Sequence, residues 1–189
     1  MHAWGQVASF EHPGEAPDGL ARRANAIAPN DLAVLAAEQA PDGFDARRDA
    51  RSRTYCYRIL ASPVPSPFEE GRALWWTGPV ELEALQRCAH ALLGTHDFTA
   101  FTPTQTDHVR FERDVLRAEW RAEGPMLEFW IEADAFMRHM ARVLVGTMLE
   151  VAGGRRREGD FAALLGGAPR EAAGETAPPW GLYLASISY

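Results

Sequence analysis

Alternating or short apolar runs predict β-strands in several parts of the chain. Over residues 53–60 every second side chain falls on the same face of a strand, which places Tyr55 and Tyr57 together. Three further stretches also favour strands: residues 4–10, 32–38 and 181–189. The alanines of the 32–38 stretch would also suit a helix.

A β-hairpin is predicted around the sequence Glu-Gly-Pro at residues 123–125. Residues 115–122 and 126–132 alternate between apolar and polar side chains on either side of this turn. The alternation places Leu116 on the same face as Trp120.

Helical spacing of apolar residues is clearest over residues 79–93, where Gly94 suits the C-terminal cap. A second helix is expected to run from a cap at Asp134 to about residue 151. Two shorter helices are expected at residues 20–27, capped by Asp18, and at residues 161–165. Residues 95–107, between the longer helix and the hairpin, are interpreted as a loop.

Strands and helices are segregated along the chain and do not alternate strictly. This order predicts an α+β fold with an antiparallel or mixed β-sheet. The Pro-Asp-Gly turn at residues 41–43 is the best candidate boundary between lobes. We therefore expect an N-terminal remnant over residues 1–43 and a larger lobe over residues 44–189.

Composition is that of an ordinary globular protein, with 47% hydrophobic and 24% charged residues. No apolar run approaches the roughly 18 residues that span a bilayer. The N-terminus shows no basic and apolar signal-peptide pattern. We therefore expect a cytoplasmic protein without a membrane partner.

The six histidines and two cysteines show no spacing typical of a metal site. Cys56 and Cys88 lie in patterns of a strand and a helix, so we interpret them as buried structural thiols. We expect neither a metal nor a cofactor.

The net charge of −7 argues against nucleic acid when taken alone, but the arginines are unevenly distributed. Residues 46–58 hold five arginines against Asp49 alone, and residues 138–157 hold five against Glu150 alone. Each cluster can form an anion-binding surface or simply a solvated face.

Six stretches, taken in chain order, resemble the TruA family of bacterial tRNA pseudouridine synthases. Each motif is weak singly, and their common order carries the resemblance. They are HAWGQVASF at 2–10, NAI with a proline at 25–29, FDAR and RTYCY within 44–57, LLGTHDF at 92–98, AFMRHMAR with VG within 135–146, and GLYL at 181–184.

The resemblance implies a pseudouridine-synthase-like fold, with helices packed on one side of the sheet and two lobes around a cleft. It implies an isomerase that converts uridine to pseudouridine in the anticodon stem-loop of tRNA, without metal or cofactor. The implied partners are the anticodon arm of tRNA and a second copy of the chain in a homodimer.

The catalytic aspartate of the family lies in a Gly-Arg-Thr-Asp-Ala-Gly-Val-His-Ala motif. Met1 falls at its valine, and no other aspartate of this sequence has that context. We assign no nucleophile within the chain and expect the natural protein to begin further upstream. The alternative is a truncated, catalytically inactive homologue that binds RNA or a partner subunit.

The resemblance also assigns residues to the site. On the strand pattern alone, core packing is the favoured role of Tyr55, whereas the family places its active-site tyrosine there, packed on the target base. Arg142 matches an arginine that pairs with and orients the catalytic aspartate. Arg138, expected one turn earlier on the same helix face, either extends this positive strip or is an ordinary surface residue.

Contacts to the RNA backbone are expected from Arg47, which matches the family's Phe-x-Ala-Arg segment, and also from Arg48 and Arg51. His96 and Asp97 are adjacent on one predicted loop, so they do not form a nucleophile–base–orienter chain. We interpret their stretch as structural.

Overall fold

The computed structural model describes residues 1–14 and 17–189. These divide into two compact units, the first comprising residues 1–6 with 50–189 and the second residues 7–49. The boundary expected at residue 43 stays a prediction.

The larger unit is built on one mixed β-sheet, which in the described residues has seven strands in the order β1-β7-β2-β6-β5-β4, with β3 beside one end of β2. Pairing is antiparallel except for β1 with β7 and β2 with β3. The α+β class and the mixed sheet are confirmed. The strands are β1 His2–Ala3, β2 Ser52–Ala61, β3 Leu74–Trp76, β4 Gly94–Asp97, β5 Glu112–Glu123, β6 Met126–Ala133 and β7 Leu182–Ser188.

Four α-helices lie in the described residues, and the two longer ones complete the core. They are α1 Leu20–Asn25, α2 Leu82–Ala91, α3 Met140–Ala152 and α4 Glu158–Ala163. Helix α3 is the most apolar, and ten of its thirteen residues are buried. A helix that is apolar on most sides must be covered on most sides, which explains its place between the sheet, α2 and α4.

The core forms on the sheet face that carries Tyr57 and Ile59 of β2 and Phe129 and Ile131 of β6. Helices α2 and α3 pack against this face. The opposite face is also partly covered, since Cys56 is completely buried there. Strand β2 is therefore covered, at least in part, on both faces of the sheet.

Both strands predicted in the N-terminal stretch were wrong. Strand β1 covers only His2–Ala3, and residues 4–10 are irregular, because the chain leaves the edge of β7 once the Trp4 amide has bonded the Leu184 carbonyl. Residues 32–38 form no strand either. There the Asn25 side-chain amide pairs with both the backbone amide and the carbonyl of Val34.

The predicted hairpin is confirmed, but the face expected for Leu116 was wrong. The register between β5 and β6 shifts between Val115 and Arg117, which leaves Leu116 as an extra residue in a β-bulge. Val115 is consequently 2% exposed and Leu116 is 55% exposed.

The start predicted for α3 was also wrong. The Asp134 carboxylate accepts hydrogen bonds from the backbone amides of Asp114 and Ala135 and caps no helix. Helix α3 begins only at Met140, after His139 adopts a left-handed conformation with φ 63°. Residues 134–139 therefore form an irregular link between β6 and α3.

Smaller differences affect the remaining elements. Helix α2 is shorter than residues 79–93, α4 begins three residues earlier than expected, and Gly19 rather than Asp18 occupies the N-cap of α1. The stretch interpreted as a loop contains β4 and a 3-10 turn over Thr99–Phe101. The short strand β3 was missed altogether.

The second unit, residues 7–49, is held mainly by local hydrogen bonds. Asp45 accepts bonds from the backbone amides of Arg47 and Arg48, which hold the pKa of its carboxyl below its usual range. Ala46 is its single buried residue among those described. No helix in the described part of either unit is long and apolar enough to cross a membrane.

The bulge in β5 gives a direct test of the sheet register. Val115→Ala should lower the free energy of unfolding by about 2 kcal/mol, because it removes buried apolar contacts. Leu116→Ala should change it by no more than about 0.5 kcal/mol, because that side chain is exposed. Urea denaturation of both variants checks this, and the reverse ranking would contradict the bulge.

Candidate active site

Tyr55 lies in the middle of the sheet, opposite Ile131 of β6 and Leu184 of β7. Its half-buried ring meets Phe136 edge-on, with centroids 4.8 Å apart and planes at 77°. Burial raises the pKa of its phenol, and the charge of Arg53 opposes this only in part. The neutral hydroxyl has no hydrogen-bond partner among the described residues, so it is available to a ligand.

The link between β6 and α3 brings Phe136 to Tyr55. At the start of this link the Asp134 carboxylate accepts a hydrogen bond from the Ala135 amide. The Asp134 carbonyl accepts a second bond, of 3.2 Å, from the Arg53 guanidinium. Met137, one residue beyond Phe136, is buried in the core. The aromatic neighbour of Tyr55 is therefore held from both ends.

Arg142 lies in the first turn of α3 and is half-buried. Its Nε donates a hydrogen bond of 2.6 Å to the Ala177 carbonyl. The described residues provide no carboxylate within ion-pair distance and no partner for its two terminal nitrogens. A half-buried guanidinium with an open bidentate edge suits a carboxylate or a phosphate.

His139 reports on the same positive region. Burial lowers the pKa of its imidazole below the usual value, and the charges of Arg142 and Arg138 add to the effect. The charge contribution of the two arginines disfavours a further positive charge at this place and favours an anion.

Arg138 is exposed, as a solvent-facing or RNA-contacting residue would be. It precedes α3 in the turn before His139, so the helix face that it was expected to share with Arg142 does not exist. Like Arg142, it nevertheless lowers the pKa of His139 through its positive charge.

The three other predicted RNA-contacting residues are divided between the units. Arg47 and Arg48 are exposed in the smaller unit, where Arg48 forms an ion pair of 3.1 Å with Asp45. Arg51 is exposed in the larger unit, and its backbone amide bonds the Ser188 carbonyl at the end of β7. Their role in RNA binding stays a prediction.

The His96–Phe98 stretch has structural contacts. Asp97 accepts bonds from the amide and hydroxyl of Thr99, and the His96 ring bonds the Leu93 carbonyl. Phe98 is completely buried. In these contacts His96 and Asp97 bind backbone groups and the Thr99 hydroxyl, and neither is hydrogen-bonded to the other.

The thiols of Cys56 and Cys88 are free and buried, as expected, and burial is the main cause that raises the pKa of each to about 12. Such thiols are inert at neutral pH. Within residues 1–14 and 17–189, no group of three or more His, Cys, Asp or Glu side chains could hold a metal ion.

Two features of this site escaped the sequence. The edge-on contact of Phe136 with Tyr55 joins residues on separate elements, and the bond from Arg142 to Ala177 joins α3 to an irregular segment. No periodic pattern or motif in the sequence predicts either contact. Only the resemblance could have drawn attention to Phe136, through its Ala-Phe pair.

Comparison with known proteins identifies the class of this chain. Residues 88–189, which include Arg138 and Arg142, match the family model described as tRNA pseudouridine synthase.

Individual relatives cover nearly the whole chain, and all three named here are called tRNA pseudouridine synthase A. The protein of Geobacillus kaustophilus is 35% identical over all of this chain and 74% of its own length. That of Halalkalibacterium halodurans is 39% identical over 96% of this chain and 70% of its own length. That of Bordetella petrii is 39% identical over 89% of this chain and 63% of its own length.

The chain belongs to the tRNA pseudouridine synthase A family, and by family it is an isomerase. The resemblance drawn from the six motifs is confirmed. The chain is shorter than these relatives.

The positive region around His139 predicts a pH dependence. Because the folded state holds the pKa of His139 below about 6.5, the unfolded state takes up the proton first as pH falls. The contribution of this group to stability is complete above that value and is lost as pH falls through the folded pKa.

His139→Asn removes the titrating group and keeps a residue that tolerates positive φ. Its free energy of unfolding should decrease less between pH 7 and pH 5 than that of the parent chain, as measured by urea denaturation at each pH. An NMR titration that places the pKa of His139 at or above 6.5 would contradict the electrostatic account.

Proposed function

We propose that this protein converts uridine to pseudouridine in the anticodon stem-loop of tRNA. The observation that carries the proposal is the open guanidinium edge of Arg142, in the same unit as the half-buried, hydrogen-bond-free hydroxyl of Tyr55, in a chain of this family.

The chemistry fits a site without redox groups. The bond from uracil N1 to the ribose breaks, a bond from C5 to the same ribose carbon forms, and one proton leaves C5 while another is gained at N1. Atoms and electrons balance within the substrate, so the reaction needs no oxidant or reductant. The protein must bind, orient and stack the detached base.

Tyr55 provides the stacking surface. Unstacking the target uridine costs roughly a few kcal/mol of free energy, and stacking on an aromatic side chain offsets part of this cost. A tyrosine hydroxyl is already neutral at physiological pH, and burial raises the pKa of Tyr55 further, so the group keeps its proton and can donate a hydrogen bond to the base.

Arg142 orients the carboxylate that acts on the nucleotide. Its two terminal nitrogens can hold both oxygens of a carboxylate, which fixes the direction of the attacking atom. No aspartate of the 189 residues stands in the family's Gly-Arg-Thr-Asp-Ala-Gly context, so the nucleophile itself is left unassigned.

Four other arginines serve the RNA backbone. In this proposal Arg47, Arg48, Arg51 and Arg138 contact phosphates, which suits their exposure on an otherwise acidic chain. The proposal includes a fold of two lobes around a cleft, a homodimer with tRNA across both subunits, and a cytoplasmic location, where tRNA is found. These three parts are supported by the family resemblance.

A second candidate is a catalytically inactive homologue that binds RNA. The exposed arginines Arg47, Arg51 and Arg138 would serve RNA binding without catalysis as well as with it. Both candidates bind tRNA with an affinity that decreases steeply with salt, so binding alone does not separate them.

Pseudouridine mapping in the source cells separates the two candidates. Deletion of the gene should abolish carbodiimide-reactive pseudouridine in the anticodon stem-loop of tRNA. Unchanged pseudouridine in the deletion strain would overturn the proposed enzyme and leave the binding protein.

Substitutions in the chromosomal gene test the site. Arg142→Ala should lower the rate of pseudouridine formation on the order of 10²- to 10³-fold, because an orienting charge is lost. Tyr55→Phe keeps the ring and should lower the rate with little change in tRNA affinity. The measurements are single-turnover kinetics and filter binding with protein purified from those cells.

Arg121→Ala is the matched control, since Arg121 is exposed and already paired with Glu119. It should leave the rate unchanged. Parental rates in both Arg142→Ala and Tyr55→Phe would show that the site is misassigned.

A further inference from the structure

The irregular segment of residues 174–178, here called the strap, is fixed along α3 by three hydrogen bonds. Its Gly174 amide donates to the Thr147 hydroxyl at 3.0 Å, and its Ala177 amide donates to the Arg142 carbonyl at 3.1 Å. The Ala177 carbonyl accepts the bond from Arg142 Nε. Residue 177 therefore contacts both the backbone and the side chain of Arg142.

Close approach of the strap depends on Gly146, which follows Arg142 by about one turn of α3. A Cβ atom on Gly146 would collide with the Glu175 carbonyl oxygen, a backbone atom that no side-chain movement can clear. A side chain at this position would separate the strap from the helix and lengthen the Arg142–Ala177 bonds.

The far end of the strap is fixed by Tyr57 of β2. Its buried hydroxyl donates a hydrogen bond of 2.7 Å to the Pro178 carbonyl, one residue beyond Ala177. Gly181 gives the Tyr57 ring its space, because a Cβ there would lie 2.8 Å from a ring carbon. The Tyr57 ring therefore holds the end of the strap in place.

We infer that Tyr57, Gly146 and the strap are positioning elements that set the orientation of the Arg142 guanidinium. Because the strap occupies Nε, only the edge with the two terminal nitrogens is open to an anion. The plane of the guanidinium is then fixed by the bond to Ala177 before any ligand binds. The catalytic consequence rests on the proposed function, whereas the positioning does not.

The first test uses the 189-residue chain labelled with ¹⁵N and compares Tyr57→Phe with the parent. The Nε–H signal of Arg142, assigned by its loss in Arg142→Lys, reports the bond to Ala177. Loss of the Tyr57 hydroxyl should speed its exchange with water on the order of fivefold, which corresponds to one net hydrogen bond. The Arg58 Nε–H, bonded to Glu128 away from the strap, should keep its rate.

Tyr183→Phe is the matched control, because Tyr183 is also a buried tyrosine whose hydroxyl bonds a backbone carbonyl, that of Arg72. It should leave the Arg142 signal unchanged. Gly146→Ala, which disturbs the strap from the other side, should speed exchange at Arg142 even more and serves if Tyr57→Phe does not fold. Unchanged exchange at Arg142 in the folded variants, or an equal change in Tyr183→Phe, would overturn the inference.

A second test measures turnover in protein purified from cells that carry the same substitutions. Tyr57→Phe should lower kcat for pseudouridine formation while KM for tRNA stays within about twofold, because the strap affects orientation and not RNA contacts. Faster exchange at Arg142 with an unchanged kcat would support the positioning and refute the catalytic role of Arg142. The two failures are therefore distinguishable.

Discussion

The backbone pairing of β2 on both of its sides is the constraint on which the rest of the structure depends. It pairs antiparallel with β6 along nearly its whole length and with β7 on the other side. Because both edges are occupied and both faces are covered in part, the strand cannot slip without exposing one set of side chains. The positions of Tyr55 and Tyr57 follow from this register.

The candidate site combines elements that are far apart in the sequence. Tyr55 is placed by the sheet, Phe136 by the link before α3, and Arg142 by the helix together with the strap. The helix needs its apolar sides for the core, so its charged side chains lie near its two ends, with Arg142 in the first turn and Glu150 in the last. Burial lowers the pKa of the neighbouring His139, and the charges of Arg142 and Arg138 lower it further.

Long periodic elements could be predicted from the sequence, and short or irregular ones could not. Strand β2, the hairpin and helix α2 have clear periods, whereas β3 has three residues and too little pattern. The bulge at Leu116 and the late start of α3 depend on partners in other strands, which no local pattern records. Tyr55 and Arg142 were found through family motifs. The strap was not found, because it contributes backbone amides and carbonyls to its hydrogen bonds, and these leave no signal in the sequence.

Tyr55 and Tyr57 stand two residues apart on one strand, and this spacing limits how the gene can change. A single inserted codon between them would turn one ring to the opposite face of the sheet. Because β2 is hydrogen-bonded on both sides, the extra residue could be absorbed only by a β-bulge that fits both neighbouring strands. Insertions and deletions in this protein's lineage should therefore accumulate in turns, such as the one at residues 124–125, and be absent from β2.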